Sequence, residues 1–520
     1  MVKYARVKNT LGVIMENYKL NTKRTIYVGF AFFLISAFWQ AYDAIVPLIL
    51  TNHFGLPQTV SGAVMSLDNV LAVFMLPIFG ALSDKVMTRY GKRTPFIVTG
   101  AIAAIVTFVA LTLVDFIQLN AIANTTIPEW YASTKALETT AKELLATAKA
   151  EGNTALIAAQ EAELARLAGV FDEIRAASLE VTLDNVFPLI LFIGMLLLVL
   201  ISMATFRSPA VALMPDVTIK PLRSKGNAII NLMGTAGGIS VLVLGMVFKT
   251  SSDMFMKYTG YVLAVCLVMA LGLLVFVLKV KEKKWAKDME TDTKRFGLDT
   301  PVEKTADEKP GKLSRPEFIS LMLILASVAL WYIGYNSITS KYSVYATNIL
   351  GFDYNFTLIV AQAAAVVSYI PVGAIASKIG RKKTILAGII LLATAFFIGN
   401  FISSTTPSAV MFPVFALAGI GWATINVNSF PMVVELAKGG DVGKYTGYYY
   451  TASMAAQIVA PILSGALYDI FGMRIMFFAF GTLFVALSFV TMFFVKHGNA
   501  QDLGGKSAKE LIADNFAGDD

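Results

Sequence analysis

Long apolar runs recur along the chain, each of roughly 20 residues and each cut off by a short polar, glycine or proline stretch. A run of about 20 residues makes ~30 Å of helix, which matches the hydrocarbon core of a bilayer. The runs are continuous, whereas a barrel strand alternates apolar and polar positions over ~10 residues. The pattern predicts spanning helices over roughly 26–50, 60–83, 95–118, 186–209, 226–248, 257–280, 318–340, 354–377, 384–403, 408–431, 445–469 and 473–495. The expectation is an all-α membrane protein of about twelve spans in two sets of six, 26–280 and 318–497. Segments 1–25, 281–317 and 498–520 fall outside the two sets.

The polar stretches between runs orient the chain. Lys23 and Arg24 precede the first span, and Asp84, Lys85, Arg89, Lys92 and Arg93 lie between the second and third. Basic clusters return at Lys220, Arg223 and Lys225, from Lys281 to Lys312, and at Lys378, Arg381, Lys382 and Lys383. The intervening stretch 51–59 has no Lys or Arg, and 119–185 is net acidic. Every second loop is basic, so the positive-inside rule places both termini in the cytoplasm of a multi-pass protein of the cell's plasma (inner) membrane. Two polar segments are long. Residues 281–316 read as a mixed-charge linker without periodicity. Within the insert 119–185, Leu137, Leu144, Leu145, Leu156, Leu164, Leu167 and Ile174 recur at helical spacing around Gly152-Asn153, which predicts an external helical hairpin over 131–181.

Composition agrees with a lipid solvent. The chain is 56% hydrophobic and 15% charged, with a mean hydropathy of +0.66, against roughly 25% charged residues in soluble proteins. The net charge of +8 follows from the basic loops and calls for no nucleic acid. The single cysteine, Cys266, lies in an apolar run and reads as a small core residue. The first 25 residues are polar and basic and the next run is long enough to span, so no cleavable signal peptide is predicted. His53 and His497 fall near helix ends and read as exposed. No nucleotide loop, dinucleotide fingerprint, HExxH or paired-cysteine motif is present. The reading is therefore not an enzyme, with no cofactor and no metal.

A weak internal repeat supports duplication. PIFGALSDKVMTRYGKRT at 77–94 is echoed by PVGAIASKIGRKKT at 371–384. Parallel duplication with a long central linker is the pattern of two six-helix halves related by an axis along the membrane normal.

Gly80, Ser83, Asp84 and Lys85, followed by Arg89 and Gly91-Lys92-Arg93, resemble the loop signature between the second and third helices of the major facilitator superfamily. The string PIFGALSD…RYGKRTPFI resembles its sucrose/proton symporter branch, which has affinity with the glycoside–pentoside–hexuronide cation symporters. FRSPAVALMPDVTIKPLRSKGNAIINLMG at 206–234, with Arg207, Pro215 and Asp216, is similar to that branch's fourth and fifth helices. The resemblance covers the membrane part and leaves out the 131–181 insert. It implies a gating latch in which Asp84 pairs with Arg89, Arg93 and helix termini, with Gly80 and Gly91 permitting close approach. Glu435 would make a matching contact across the halves, or else sit as a solvated helix end. It also ties Arg207 to substrate or proton coupling. One departure bears on the ion. Melibiose-permease-type sodium symporters carry paired carboxylates ahead of the Pro-x-x-Gly, and here Leu71 to Leu76 precede Pro77. Protons are the better expectation.

An ionisable residue at a helix centre costs roughly 2.5–3.5 kcal/mol on insertion scales, so those inside the runs are the candidate chemistry. Asp68 is the first proton-coupling candidate, with Asp43 as the second, against the reading of Asp68 as a structural polar lock. Asp43, with Gln40, Tyr42 and Trp39 around it, supplies the carboxylate, amide and aromatic faces that hold a sugar; the plainer reading is a rim residue with belt anchors. Arg207 would pair with Asp68 or a substrate hydroxyl, or else snorkel from the inner end of its helix. In the second half Trp331, Tyr335 and Asn336 are spaced to share a face, as are Trp422, Asn426 and Ser429, and Gln362, Tyr449 and Gln457 add polar groups. Aromatic-plus-amide faces suit a neutral polyol, although any one ring taken alone is ordinarily packing. The function expected is secondary active, proton-coupled symport of a sugar or glycoside by a monomer in the bilayer. The alternatives are a transporter-fold sensor or assembly subunit, encouraged by the external insert, and a carrier of another small organic solute.

Overall fold

The computed structural model describes residues 20–219, 222–295, 313–434, 436 and 442–497. Helix α1 (Thr22–Leu48) starts where Asn21 Oδ1 accepts the Arg24 N–H at 3.0 Å, and it runs on through a π-helical turn, Ile49–His53. Then follow α2 (Gln58–Lys85), α3 (Thr94–Ala123), α4 (Ile127–Glu151), α5 (Thr154–Asp184), α6 (Phe187–Val217), α7 (Arg223–Val247), α8 (Thr259–Lys279) and α9 (Glu282–Arg295). After the linker come α10 (Arg315–Thr339), α11 (Tyr354–Ile379), α12 (Arg381–Gly399), α13 (Met411–Val434), α14 (Val442–Phe471) and α15 (Met473–Phe493). A capping box of Ser314 and Glu317 starts α10. Among the described residues eleven helices are long and apolar enough to cross a membrane, and α11 is apolar over Tyr354–Tyr369. The protein is an all-α, multi-pass membrane protein.

Among the first six spans, α1 packs on α7 and α8, α3 on α6 and α8, and α2 on α6. Among the last six, α10 packs on α14 and α15, α13 on α11 and α12, and α12 on α15. The two sets meet along α2 with α14 and α7 with α11. Polar ties join them at the end opposite the basic loops, here called the outer end. Asn52 and Asn348 exchange amide hydrogen bonds at 2.8 and 3.3 Å. Thr250 Oγ1 accepts from Tyr354 Oη at 2.7 Å and from Asn355 Nδ2 at 3.0 Å. Helix α2 shows the consequence: its outer part buries Ser61, Gly62, Val64, Met65 and Ser66, while Val73, Phe74, Ile78 and Leu82 toward the basic end are exposed. Among the described residues, these polar ties between the bundles lie at the outer end.

The insert forms two helices, α4 and α5, turning at Gly152 (φ +70°) with Asn153 Oδ1 capping Leu156 N. The hairpin is pinned to the outer end of α1. Thr182 Oγ1 accepts from Gln118 Nε2 at 2.9 Å and lies 3.0 Å from Phe54 O. A Cβ on Gly55 (φ +64°) would stand 2.4 Å from Arg175 O, so the two backbones are in contact there.

Three expectations are corrected. His53 is wholly buried, with Nδ1 at 2.6 Å from Asp115 Oδ1 and its ring stacked 5.7 Å from Tyr258, because the π-helical turn tucks it between α3 and α8. His497 is half-buried, with Nδ1 at 3.0 Å from Ser320 Oγ. The linker is helical over Glu282–Arg295, anchored by buried Glu282 and Trp285, with the Arg24 guanidinium 5.5 Å over the Trp285 ring.

Candidate functional site

A short glutamine pair joins the sets at mid-span. Gln362 Nε2 on α11 donates to Gln40 Oε1 on α1 at 2.6 Å. Gly238 of α7 backs onto them: a Cβ there would lie 3.1 Å from Gln362 Oε1 and 3.7 Å from Gln40 Oε1. One turn along α1 from Gln40 is Asp43. Between 41 and 54 every residue is buried except Asp43, which is open to solvent. A residue exposed on a stretch that is otherwise enclosed by protein faces an open chamber between the helices. Asp43 lies within coulombic reach of Asp68 on α2 and of Tyr335 on α10, so the chamber is walled by both sets.

Asp68 accepts from Asn69 N at 2.6 Å and Asn69 Nδ2 at 2.7 Å. Arg207 is within its coulombic reach, with no direct ion pair between the two among the described residues, and the guanidinium sits 5.5 Å over the Trp39 ring. The snorkelling reading does not hold. Helix α6 continues past Pro209 to Val217, so Arg207 is more than two turns from the inner end.

On the other wall Tyr335 stacks on Trp422 with centroids 3.6 Å apart and planes 4° off parallel, and Tyr332 meets the same indole edge-on at 5.3 Å. Asn336 Nδ2 donates to Tyr332 O within its own helix at 2.9 Å, and Gln457 Nε2 to Ser453 O at 3.2 Å. Asn426 is half-buried, and nearby Ser429 Oγ is 2.9 Å from Tyr449 Oη. Two of the sequence candidates are packed away from open space. Trp331 is wholly buried in the core, and Tyr42 is wholly buried against Phe38 and Trp39. The sequence reading missed Tyr332, whose signal was only its place beside Trp331.

The basic loop after α2 builds a separate node at the inner end. Arg93, 5% exposed, pairs with Asp84 and, through Nε at 2.9 Å, with Asp216 of α6, and it also donates to Ser83 Oγ. A Cβ on Gly80 would stand 2.9 Å from Ser208 Oγ, so α2 and α6 approach closely here. Glu282 of α9 caps α3: its carboxylate accepts from Lys92 N at 2.7 Å, Arg93 N at 2.9 Å, Thr94 N at 2.7 Å and Thr94 Oγ1 at 2.7 Å. Gly91 (φ +124°) makes room, since a Cβ there would be 2.3 Å from the Glu282 carboxyl carbon. Arg89 does not join the latch; it lies exposed over the Tyr90 ring at 4.6 Å, because the turn at Thr88–Gly91 directs it outward. Asp216 and Glu282 take the places that sequence reasoning had left open. Glu435 lies outside the described residues.

A family profile described as the Major Facilitator Superfamily matches residues 176–437 and 354–514, and one described as MFS/sugar transport protein matches 27–123. No curated protein gives a significant match. Among solved structures, the inward-open xylose transporter of E. coli is 13% identical with a TM-score of 0.58, over 94% of this chain and 98% of that one. A D-xylose–proton symporter is 15% identical with a TM-score of 0.53, over 93% and 98%. A POT family transporter in complex with 5-aminolevulinic acid is 11% identical with a TM-score of 0.59, over 90% and 95%. At these identities the likeness is one of fold.

Proposed function

The chain belongs to the Major Facilitator Superfamily, a family of membrane transporters, and on that premise we propose that it carries a sugar or glycoside together with a proton by alternating access. The observation that carries this reading is the chamber wall itself. Gln40 and Gln362 bring amides from both bundles to one point, beside a solvent-open carboxylate, Asp43, and a stacked Tyr335–Trp422 face. Amides and a carboxylate hydrogen-bond hydroxyls, and a flat aromatic face takes the apolar side of a sugar ring. Fold likeness extends to both xylose and POT family transporters, so the choice of a polyol rests on these side chains.

Asp68 is the coupling residue in this reading. A proton on Asp68 removes one negative charge from a site shared with Asp43 and leaves Arg207 to serve the substrate. Substrate and proton then bind together, and the loaded carrier reorients about the seam between bundles, with the basic loops at the cytoplasmic face of a cell membrane. The latch at Arg93 holds α2, α3 and α6 as one body during that motion.

The test is uptake in proteoliposomes with an imposed proton gradient. Uphill accumulation of the transported sugar should collapse with an uncoupler. Asp68→Asn should abolish accumulation while sparing exchange of sugar across the membrane. An Asp68→Asn protein that still concentrates sugar would remove Asp68 from the coupling role.

A further inference from the structure

The start of α2 is gripped from the opposite bundle by two residues of opposite charge. Asp469, near the C-terminal end of α14, accepts from Gln58 N at 2.8 Å, Thr59 N at 2.7 Å and Thr59 Oγ1 at 2.5 Å. Lys341, just beyond α10, donates to Gln58 O and Gln58 Oε1, both at 3.2 Å, and is 0% exposed. Helix α2 lacks a cap of its own, because the residue before it is Pro57, which has no side-chain acceptor. Its first N–H groups would otherwise be orphaned, and a carboxylate there also meets the positive end of the helix dipole. On α14 the same carboxylate sits at the unfavourable, negative end of its own helix. Its placement is explained by α2, not by α14.

The backbones leave no slack at this seam. A Cβ on Gly62 would stand 2.1 Å from Pro461 O, and one on Gly465 would stand 2.4 Å from Gln58 O. The other outer ties, Asn52 with Asn348 and Thr250 with Tyr354 and Asn355, join neutral groups. Charge is concentrated where α14 and the end of α10 meet α2.

We propose that Asp469 and Lys341 form an outer latch that holds the chamber shut on the side opposite the basic loops and lets go when the bundles part. This rests on the alternating-access reading. Both are positioning residues and touch no substrate. When the outer end opens, water replaces Asp469 at the α2 N–H groups and hydrates the Lys341 ammonium, with no bond made or broken.

The experiment uses the full chain in proteoliposomes with Cys266→Ser and a reporter, Ser61→Cys, since Ser61 is 0% exposed beside Gly62. The rate of labelling by a membrane-impermeant maleimide, without substrate, reads how often the outer seam opens. Asp469→Asn and Lys341→Gln should each raise the rate about tenfold, the weight of one or two charge-assisted hydrogen bonds. Asp469→Glu should stay within about threefold of the parent, since it keeps the charge. Gly465→Val should raise the rate by a steric route, which keeps the test alive if a charge variant fails to fold. A parent protein that labels like a free thiol, or folded charge variants that label like the parent, would overturn the latch. Labelling that responds as expected in a protein that moves no sugar would leave the latch standing and remove the transport reading instead.

Discussion

Gln40 and Gln362, 322 positions apart in the chain, meet at 2.6 Å where the two bundles face each other. On the proposed alternating-access cycle the bond spans the seam that must flex, which would make it at once a wall of the chamber and a contact between moving parts. Gln362→Ala and Gln40→Ala should each weaken substrate binding by about five- to tenfold, the weight of one hydrogen bond. The double variant should lose less than the product of the two. Equilibrium binding to the four proteins of this cycle gives the coupling directly, and strict additivity would show that the amides act separately.

Trp422 presents a flat face through its 3.6 Å stack on Tyr335. Trp422→Phe keeps an aromatic face and should bind within about threefold of the parent, whereas Trp422→Ala loses the stack and should bind about tenfold more weakly. Direct binding of the proposed sugar substrate separates this from a change in transport rate.

Arg93 and Arg89 share one loop and differ in burial, so they should differ in effect. Arg93→Gln leaves Asp84 and Asp216 facing each other without their shared cation and should cost about 1–3 kcal/mol, discounted because Asp84 is largely exposed. Arg89→Ala should shift the melting temperature little. Thermal unfolding in detergent compares the two. Glu282→Gln belongs to the same node and should cost about 1–2 kcal/mol, since a neutral amide caps the α3 amides less well than a carboxylate.

The hairpin carries a pH-dependent contact. Burial pushes the Glu138 carboxyl up, but the Lys135 and Lys142 ammoniums, at 2.8 and 2.6 Å, outweigh it and hold the group below its ordinary value. A carboxyl held low in the folded state stabilises it above about pH 4.5 and loses that stabilisation as pH falls through the depressed value. The opening equilibrium of α4, read from hydrogen exchange corrected for its intrinsic pH dependence, should therefore rise below about pH 4.5, and Glu138→Gln should flatten that rise.

The spans were legible because apolar run length is a local property of the chain. The hairpin was legible for the same reason, through leucine spacing and the Gly152-Asn153 break. Asp43, Asp68 and Arg207 stood out as costly ions inside apolar runs, and the fold brings Asp68 within coulombic reach of each of the other two. What could not be read depends on pairing across the chain. Asp115 beside His53, Asp216 beside Arg93 and Glu282 beneath Lys92 N lie 62 to 190 positions from the residues they meet, and no local pattern announces them. Helix α6 ran on to Val217, past the end expected at 209, because Pro209 and Pro215 are carried inside it.

Gly55 and Thr182 bind the α4–α5 hairpin to the outer end of α1, while at its tip a Cβ added to Gly152 would meet nothing within 4 Å. The hairpin is thus a mast stepped on the first bundle and stayed to the second, where a Cβ on Gly351 would stand 2.9 Å from Lys142 Nζ, and its masthead is bare. On the proposed cycle, a fluorophore or nanobody epitope grafted at Gly152 would magnify any shift of that footing into a swing of the tip.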